Sequence, residues 1–327
     1  MFNSPHLRTR RTEYTGSMKI TRFKFFGEGL LLCCTLIWGF AFIVVKDSLD
    51  SVGVNMLNGL RFSVAGVTLG VICIRRLVKD RGASLLSGLL IGFFLWAAYT
   101  VQTYGINYTT PGKNAFLTTI YVVFVPLYQS IIKKEKPKLK HIITALTALV
   151  GIGILCLNPT EIFKFNLGDA LSALCGVIFA AEIVSVDFFS KKCDVFSMTC
   201  YSFLFTGLFS FTTAAAVGEP VPEITKAIIF PVLFLSLAAT VAALLLQNIG
   251  QKYCAAPTAS IIMGLESVFG TLFSVLFGME KITLNFFIGA FIIFASLVIC
   301  EIDFTGIKKS KEALQKPRVT VIIRTTV

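Results

Sequence analysis

Between Gly27 and Ile302 the chain keeps returning to stretches of about 20 apolar residues, near 27–46, 54–74, 84–104, 111–132, 139–157, 167–187, 196–217, 227–249, 256–277 and 284–302. That is the length of helix that crosses a hydrocarbon core of about 30 Å. Backbone amides find no water there, so such a chain must either pair them inside helices or close them into a barrel. The apolar runs are continuous rather than alternating, which selects helices. Charge, Pro or Gly marks the joints at Lys46-Asp47, Arg75-Arg76, Lys133 to Lys140 and Gly218 to Pro222. The fold expected is an all-α integral membrane protein with ten transmembrane helices. Its 15% charged residues fall well short of the ~25% with which a soluble domain covers its surface. Soluble-enzyme and nucleic-acid-binding readings are excluded on this ground, although the net charge is +12.

The location of that charge orients the chain. Counted on alternate sides of the ten spans, 24 Lys and Arg lie on the side of the N-terminus and five on the other: Lys46, Lys113, Lys164, Lys226 and Lys281. Arg61 sits inside a span. Positive charge is retained in the cytoplasm, so both termini are expected there, in a cell (inner) membrane, with an even number of spans. Residues 1–26 and 303–327 read as basic cytoplasmic tails that enforce this topology, with contact to anionic lipid head groups as the alternative. The first apolar segment is too long for a signal peptide and lacks a small-residue cleavage pattern, so it reads as a retained anchor.

The nine cysteines fall within spans, at their ends or, for Cys193, in a cytoplasmic joint, which argues against a disulfide framework. His6 and His141 are the only histidines and no CxxC occurs, so neither a metal site nor a cofactor is expected. No GxxxxGK[ST] loop is present, and any energy input must come from an ion or substrate gradient.

The chain repeats itself. A shift of 145 residues lays Gln102 on Gln247, Gly105 on Gly250, Tyr108 on Tyr253, Leu127 on Leu272, Glu135 on Glu280, Lys136 on Lys281, Leu139 on Leu284 and Ile143 on Ile288. A shift of 141 lays Gly27-Glu28 on Gly168-Asp169. Two five-span repeats follow, 27–157 and 167–302. Five is odd, so the second copy enters the membrane from the opposite side. Inverted repeats of this kind serve secondary transport, with the substrate held at their interface.

Polar groups at membrane depth are the candidate site residues. Glu266 lies near the middle of the ninth span, where it can bind a cationic group, exchange a proton or cross-link helices. Glu182 in the sixth span and Arg61 in the second are the other deep charges. Arg61 has three readings open: pairing with Glu182 across the repeats, lining a cavity and favouring a substrate carboxylate, or snorkelling to the head groups. Asn55, Asn58 and Arg61 form one helical face, as do Asn114, Thr118, Tyr121, Val125 and Tyr128 in the fourth span and Trp96, Tyr99 and Thr103 in the third. With Trp38, Gln102 and Gln247 these stripes suggest an aromatic cavity with scattered amides and hydroxyls, suited to small amphipathic molecules rather than bare ions. The partners expected are such a substrate, protons as a candidate coupling ion and the lipid bilayer, with no nucleic acid, in a monomer or homodimer. The rival class is an intramembrane enzyme using Glu182 and Glu266; an importer or exchanger of the same fold is the other alternative.

A family resemblance rests on a series of motifs. Trp38-Gly39-Phe40-Ala41-Phe42 is followed by Lys46, and Gly105-Ile106-Asn107-Tyr108-Thr109-Thr110 leads to Ala115-Phe116-Leu117 and Pro126. Gly168-Asp169-Ala170-Leu171 opens the second half, which ends on Ala259 to Phe269 and Phe277 to Thr283. In this order the motifs resemble the EamA-type permeases of the drug/metabolite transporter superfamily, over about 29–302. The resemblance implies ten helices in two inverted EamA repeats, a central cavity lined mainly by the third, fourth, eighth and ninth spans, and export of amino acids, other metabolites or drugs by alternating access, with some members importing. It implies no catalytic residue. The chain departs from the family at Ser267, where Pro is usual, and at Glu182, where most members are apolar or small.

Overall fold

The computed structural model describes residues 5–109, 111–156, 166–223, 225–277 and 284–301. Lys164, Lys281, most of the motif 277–283 and the tail 303–327 lie outside the described residues, as do Leu157 and Ile302 at the ends of two expected spans. What is described is helical: α1 (Pro5–Ser48), α2 (Val54–Ile72), α3 (Ile74–Asp80), α4 (Leu85–Tyr108), α5 (Pro111–Thr118), α6 (Tyr121–Lys133), α7 (Leu139–Cys156), α8 (Leu167–Phe189) and α9 (Val195–Ala216). There follow α10 (Lys226–Leu233), a π-helical stretch (Phe234–Ala242), α11 (Ala243–Tyr253), α12 (Ala256–Met263), α13 (Glu266–Leu276) and α14 (Leu284–Glu301).

Among the described residues seven helical segments are long and apolar enough to cross a membrane, and an eighth is the pair α2–α3, bent by 83° at Cys73. The stretch expected as one span to residue 74 therefore ends at Ile72. Beyond it α3 carries Arg75, Arg76 and Lys79 with no buried residue, so it leaves the apolar layer where the charge begins. The segments expected at 139–157 and 284–302 form shorter apolar helices, Leu139–Leu155 and Leu284–Cys300.

Two of the long segments are broken, at matching places. Between α5 and α6 the backbone tightens to three-residue hydrogen bonds, with Ile120 N donating to Leu117 O, Val122 N to Thr119 O and Val123 N to Ile120 O. Between α12 and α13, 145 residues on, Leu265 N donates to Ile262 O, Ser267 N to Gly264 O and Val268 N to Leu265 O. Each break delivers one side chain to the interior immediately afterwards, Tyr121 in one case and Glu266 in the other.

Packing repeats as well. α2 runs along α9 and α7 along α14, while α1 lies on α11 and α13, and α4 and α6 lie on α8. At the α2–α9 crossing a Cβ on Gly66 would meet Leu204 Cδ2 at 2.7 Å, and one on Gly207 would meet Ser63 N at 3.0 Å. These two contacts are reciprocal, since Gly207 and Leu204 stand 141 residues after Gly66 and Ser63. Small residues allow such close approach where the hydrophobic effect gives helices no drive to associate. Gly207→Leu is expected to overpack the crossing by about 1–3 kcal/mol. That appears as a lower thermal unfolding midpoint in detergent. Leu208→Ala, on the exposed neighbouring face, is expected to change it little.

Polar side chains finish the helix ends. Asn166 and Asp169 form a capping box on α8, and Asp194 caps α9. The Glu219 carboxylate, from the chain between α9 and α10, accepts from Asn55 N at 3.2 Å and Met56 N at 2.8 Å at the start of α2. The side chains of eight of the nine cysteines are described, and these eight are free thiols.

Candidate functional site

The helices α1, α2, α4, α5, α6, α8, α11, α12 and α13 meet around one cavity. Trp38 of α1, Arg61 of α2, Tyr99 and Gln102 of α4 and Asn114 and Thr118 of α5 line it. So do Tyr121 of α6, Glu182 of α8, Gln247 of α11 and Glu266 of α13. Trp96, expected with them, lies elsewhere. Its Nε1 donates to Thr213 Oγ1 at 3.1 Å, and its ring packs on Phe93 and Phe209. One turn away from Tyr99, α9 covers the face that the cavity occupies beside Tyr99.

Three charged side chains line the cavity, Arg61, Glu182 and Glu266, and none of them has an ionic partner among the described residues. Arg61 is 3% exposed, which rules out snorkelling, and it does not pair with Glu182. Its Nε donates to Thr240 Oγ1 at 2.5 Å and one terminal nitrogen donates to Ala239 O at 3.1 Å. The guanidinium carbon lies 4.6 Å from the centre of the Tyr99 ring, a cation–π contact. The π-helical stretch makes this arrangement possible. Its wider turn leaves Ala239 O facing inward, where the indole of Trp38 also donates to it at 3.0 Å. Arg61 is thereby held by uncharged acceptors, away from either carboxylate.

Glu182 accepts from Gln247 Nε2 at 3.2 and 3.5 Å, and that same nitrogen donates to Gln251 Oε1 at 3.0 Å. Gln251 in turn donates to Ile183 O, which fixes the pair of amides. Glu266 accepts from the Tyr121 hydroxyl at 3.1 Å through one oxygen. Tyr121 and Glu266 are 145 residues apart, so the repeat-equivalent positions touch each other.

A ladder of polar contacts ties α5 to α8 beside the cavity. Asn114 Nδ2 donates to Ser172 Oγ at 2.7 Å, and Thr118 Oγ1 meets Cys175 Sγ at 3.2 Å. At the end of the ladder Lys113 Nζ pairs with Asp169 at 2.6 Å, and Thr109 Oγ1 donates to the same carboxylate at 2.8 Å. Of the polar face on α2, only Arg61 reaches the cavity. Asn58 is used by Thr103 of α4, and Asn55 by Tyr104 and Glu219.

Among the described residues no group of three or more His, Cys, Asp or Glu is placed to hold a metal ion. The lining residues not singled out in the sequence include Phe179 and Met263. Both were within reach of the repeat register, since they stand at the equivalents of Trp38 and Thr118. The Ala239 carbonyl had no comparable signal, because side chains do not announce a π-helical turn.

Membrane-length helices arranged around a largely apolar cavity that carries three charged side chains define the class, a multi-pass helical membrane protein. The chain belongs to the EamA-like transporter family: the family pattern matches residues 25–157 and again 166–301, so it contains two EamA-like transporter domains. It is 32% identical over 273 residues to a protein of Archaeoglobus fulgidus described as an uncharacterized transporter, covering 82% of this chain and 83% of that one. It is 23% identical over 272 residues to the uncharacterized transporter YoaV of Bacillus subtilis, covering 80% and 92%. A solved crystal structure shares the fold with a TM-score of 0.69 at 16% identity, over 84% of this chain and 95% of that chain.

Proposed function

We propose that the protein is a secondary transporter that moves small organic metabolites or amphipathic compounds across the cell membrane by alternating access, in the direction of export. In this reading ten spans form two inverted five-helix repeats, with both termini in the cytoplasm and the cavity at the repeat interface. The observation that carries it is the contact between Tyr121 and Glu266. Two positions exchanged by a two-fold axis touch only where the axis passes between them, and a group on that axis stays within reach of either side as the repeats rock. Gln102 with Gln247, Trp38 with Phe179 and Thr118 with Met263 line the same cavity as equivalent pairs, which supports the reading. So do the matching helix breaks and the reciprocal crossing of α2 with α9.

Glu266 is the coupling group in this scheme. A proton and a substrate cation compete for one carboxylate, which is the minimum required for antiport. The inward proton gradient then drives export without ATP. Untargeted metabolite profiling of medium and cytosol from overexpressing cells finds the substrate, and counterflow in proteoliposomes tests the mechanism. The expected result is saturable exchange of an unaltered solute. A chemically altered product formed without any gradient would instead identify an intramembrane enzyme.

The topology is tested separately. Reporter fusions after Lys136 and after Lys192 are expected to read cytoplasmic, and one near Val221 to read exoplasmic. Reversed signals at two of these points would defeat the inverted-repeat arrangement.

A further inference from the structure

Charge balance inside the cavity sets the net charge of its ligand. Arg61, Glu182 and Glu266 are the charged side chains on its wall; the remaining lining residues are aromatic, amide, hydroxyl or aliphatic. Unbalanced charge is costly in the low-dielectric centre of a membrane, so a carrier reorients most readily with a cavity near neutrality. Arg61 offsets one carboxylate without touching it. The empty cavity is therefore neutral when one carboxylate is ionised and the other protonated. If a substrate displaces that proton, both carboxylates are charged, and the substrate must bring one net positive charge.

The donors and acceptors on the wall give the chemistry of that ligand. Arg61 donates to a hydroxyl and a carbonyl, and no carboxylate among the described residues is its partner. An ionised carboxylate offers about four acceptor sites. Among the described residues Glu182 accepts only from an amide nitrogen that it shares with Gln251, and Glu266 from one phenolic hydroxyl. The site thus presents one anion-binding group and two under-used cation-binding groups.

We propose that the substrate is a dibasic zwitterion of net charge +1, such as an amino acid with a basic side chain. Its carboxylate lies on Arg61, one cationic group on Glu266 and the other on Glu182. This rests on the carrier reading above and on proton exchange at the carboxylates. Glu182 is the specificity-determining residue, because it separates a dibasic ligand from a neutral zwitterion. Binding releases one proton from the carboxylate pair to water, and no covalent bond to carbon changes.

The test uses the purified full chain, with L-lysine, L-leucine and cadaverine as probes. Calorimetry in two buffers of different ionisation enthalpy reads affinity and proton release, and counterflow in proteoliposomes reads transport. Lysine is expected to bind with release of about one proton, and leucine and cadaverine at least about 10-fold more weakly, since leucine leaves one carboxylate protonated and without a cation and cadaverine leaves Arg61 without an anion. Glu182→Gln is expected to weaken lysine by about 100-fold, and to bring leucine level with it. Glu182→Asp is expected to keep the preference for lysine. A purely structural role for Glu182 would lower both affinities together and would overturn the assignment, as would lysine binding without proton release. Counterflow of leucine without lysine would sink this inference and leave the carrier reading standing. Binding of lysine with counterflow of no probe would remove both, and absence of binding by all three would remove the inference.

Discussion

Glu266→Gln is expected to abolish pH-driven transport while the protein inserts and folds normally. The carboxylate is 5% exposed, and its oxygen accepts from the Tyr121 hydroxyl at 3.1 Å. Glutamine retains that acceptor and the side-chain volume, so stability should change by about 1 kcal/mol or less. It cannot carry the negative charge that proton and substrate exchange between them. Loss of a charge-assisted contact of roughly 3 kcal/mol corresponds to a fall of about 100-fold in gradient-driven flux, with residual exchange no longer responding to pH. Glu266→Ala should also fold less well, because it leaves a gap and an unpaired Tyr121 hydroxyl in a packed interface. Uptake into proteoliposomes with and without an imposed pH gradient, normalised to monodisperse protein, provides the measurement. If both variants reduce only the amount of folded protein, Glu266 is a helix cross-link. If the Gln variant keeps full pH-driven transport, coupling passes to Glu182.

Arg61→Met should separate binding from stability in the opposite sense to most changes at a buried charge. Removing one member of a buried ion pair ordinarily strands the other. Here neither cavity carboxylate loses a hydrogen bond, and the one whose charge Arg61 offsets can take up a proton instead. Ala239 O keeps the indole of Trp38, and Thr240 Oγ1 still donates to Leu235 O at 2.7 Å. Methionine fills similar space without the cost of burying a cation, so the unfolding midpoint is expected to hold or rise. Substrate affinity is expected to fall by about 100-fold, because the anion-binding group of the cavity is gone. Arg61→Lys should be intermediate, since an ammonium keeps the charge but not the planar fork of donors. A Met variant that unfolds while its surviving molecules transport with the normal KM would show that Arg61 is structural.

Much of the architecture could be read from the chain because hydropathy is a sum over some 20 residues, and such sums tolerate local error. The repeat register was equally robust, being supported by a series of matches rather than one. The site was less uniform. The polar stripes identified the inward faces of α4 and α5 but not the depth at which each face meets the cavity. Trp96 and Tyr99 share a stripe, yet α9 covers one and the cavity opens beside the other. Spacing along a helix reports direction, whereas depth depends on how neighbouring helices cross.

By itself the sequence determined the solvent, the helical class, the duplicated register and the deep charges available to a site. Tertiary structure decided which of those charges meet. Arg61 and Glu182 have opposite signs, but packing turns Arg61 toward a carbonyl exposed by a π-helical turn and leaves Glu182 with an amide. Tyr121 and Glu266 lie 145 residues apart and become neighbours because two helix breaks converge. Bringing distant segments within hydrogen-bonding range depends on Å-scale packing of whole helices, and backbone groups such as Ala239 O carry no mark in the order of side chains.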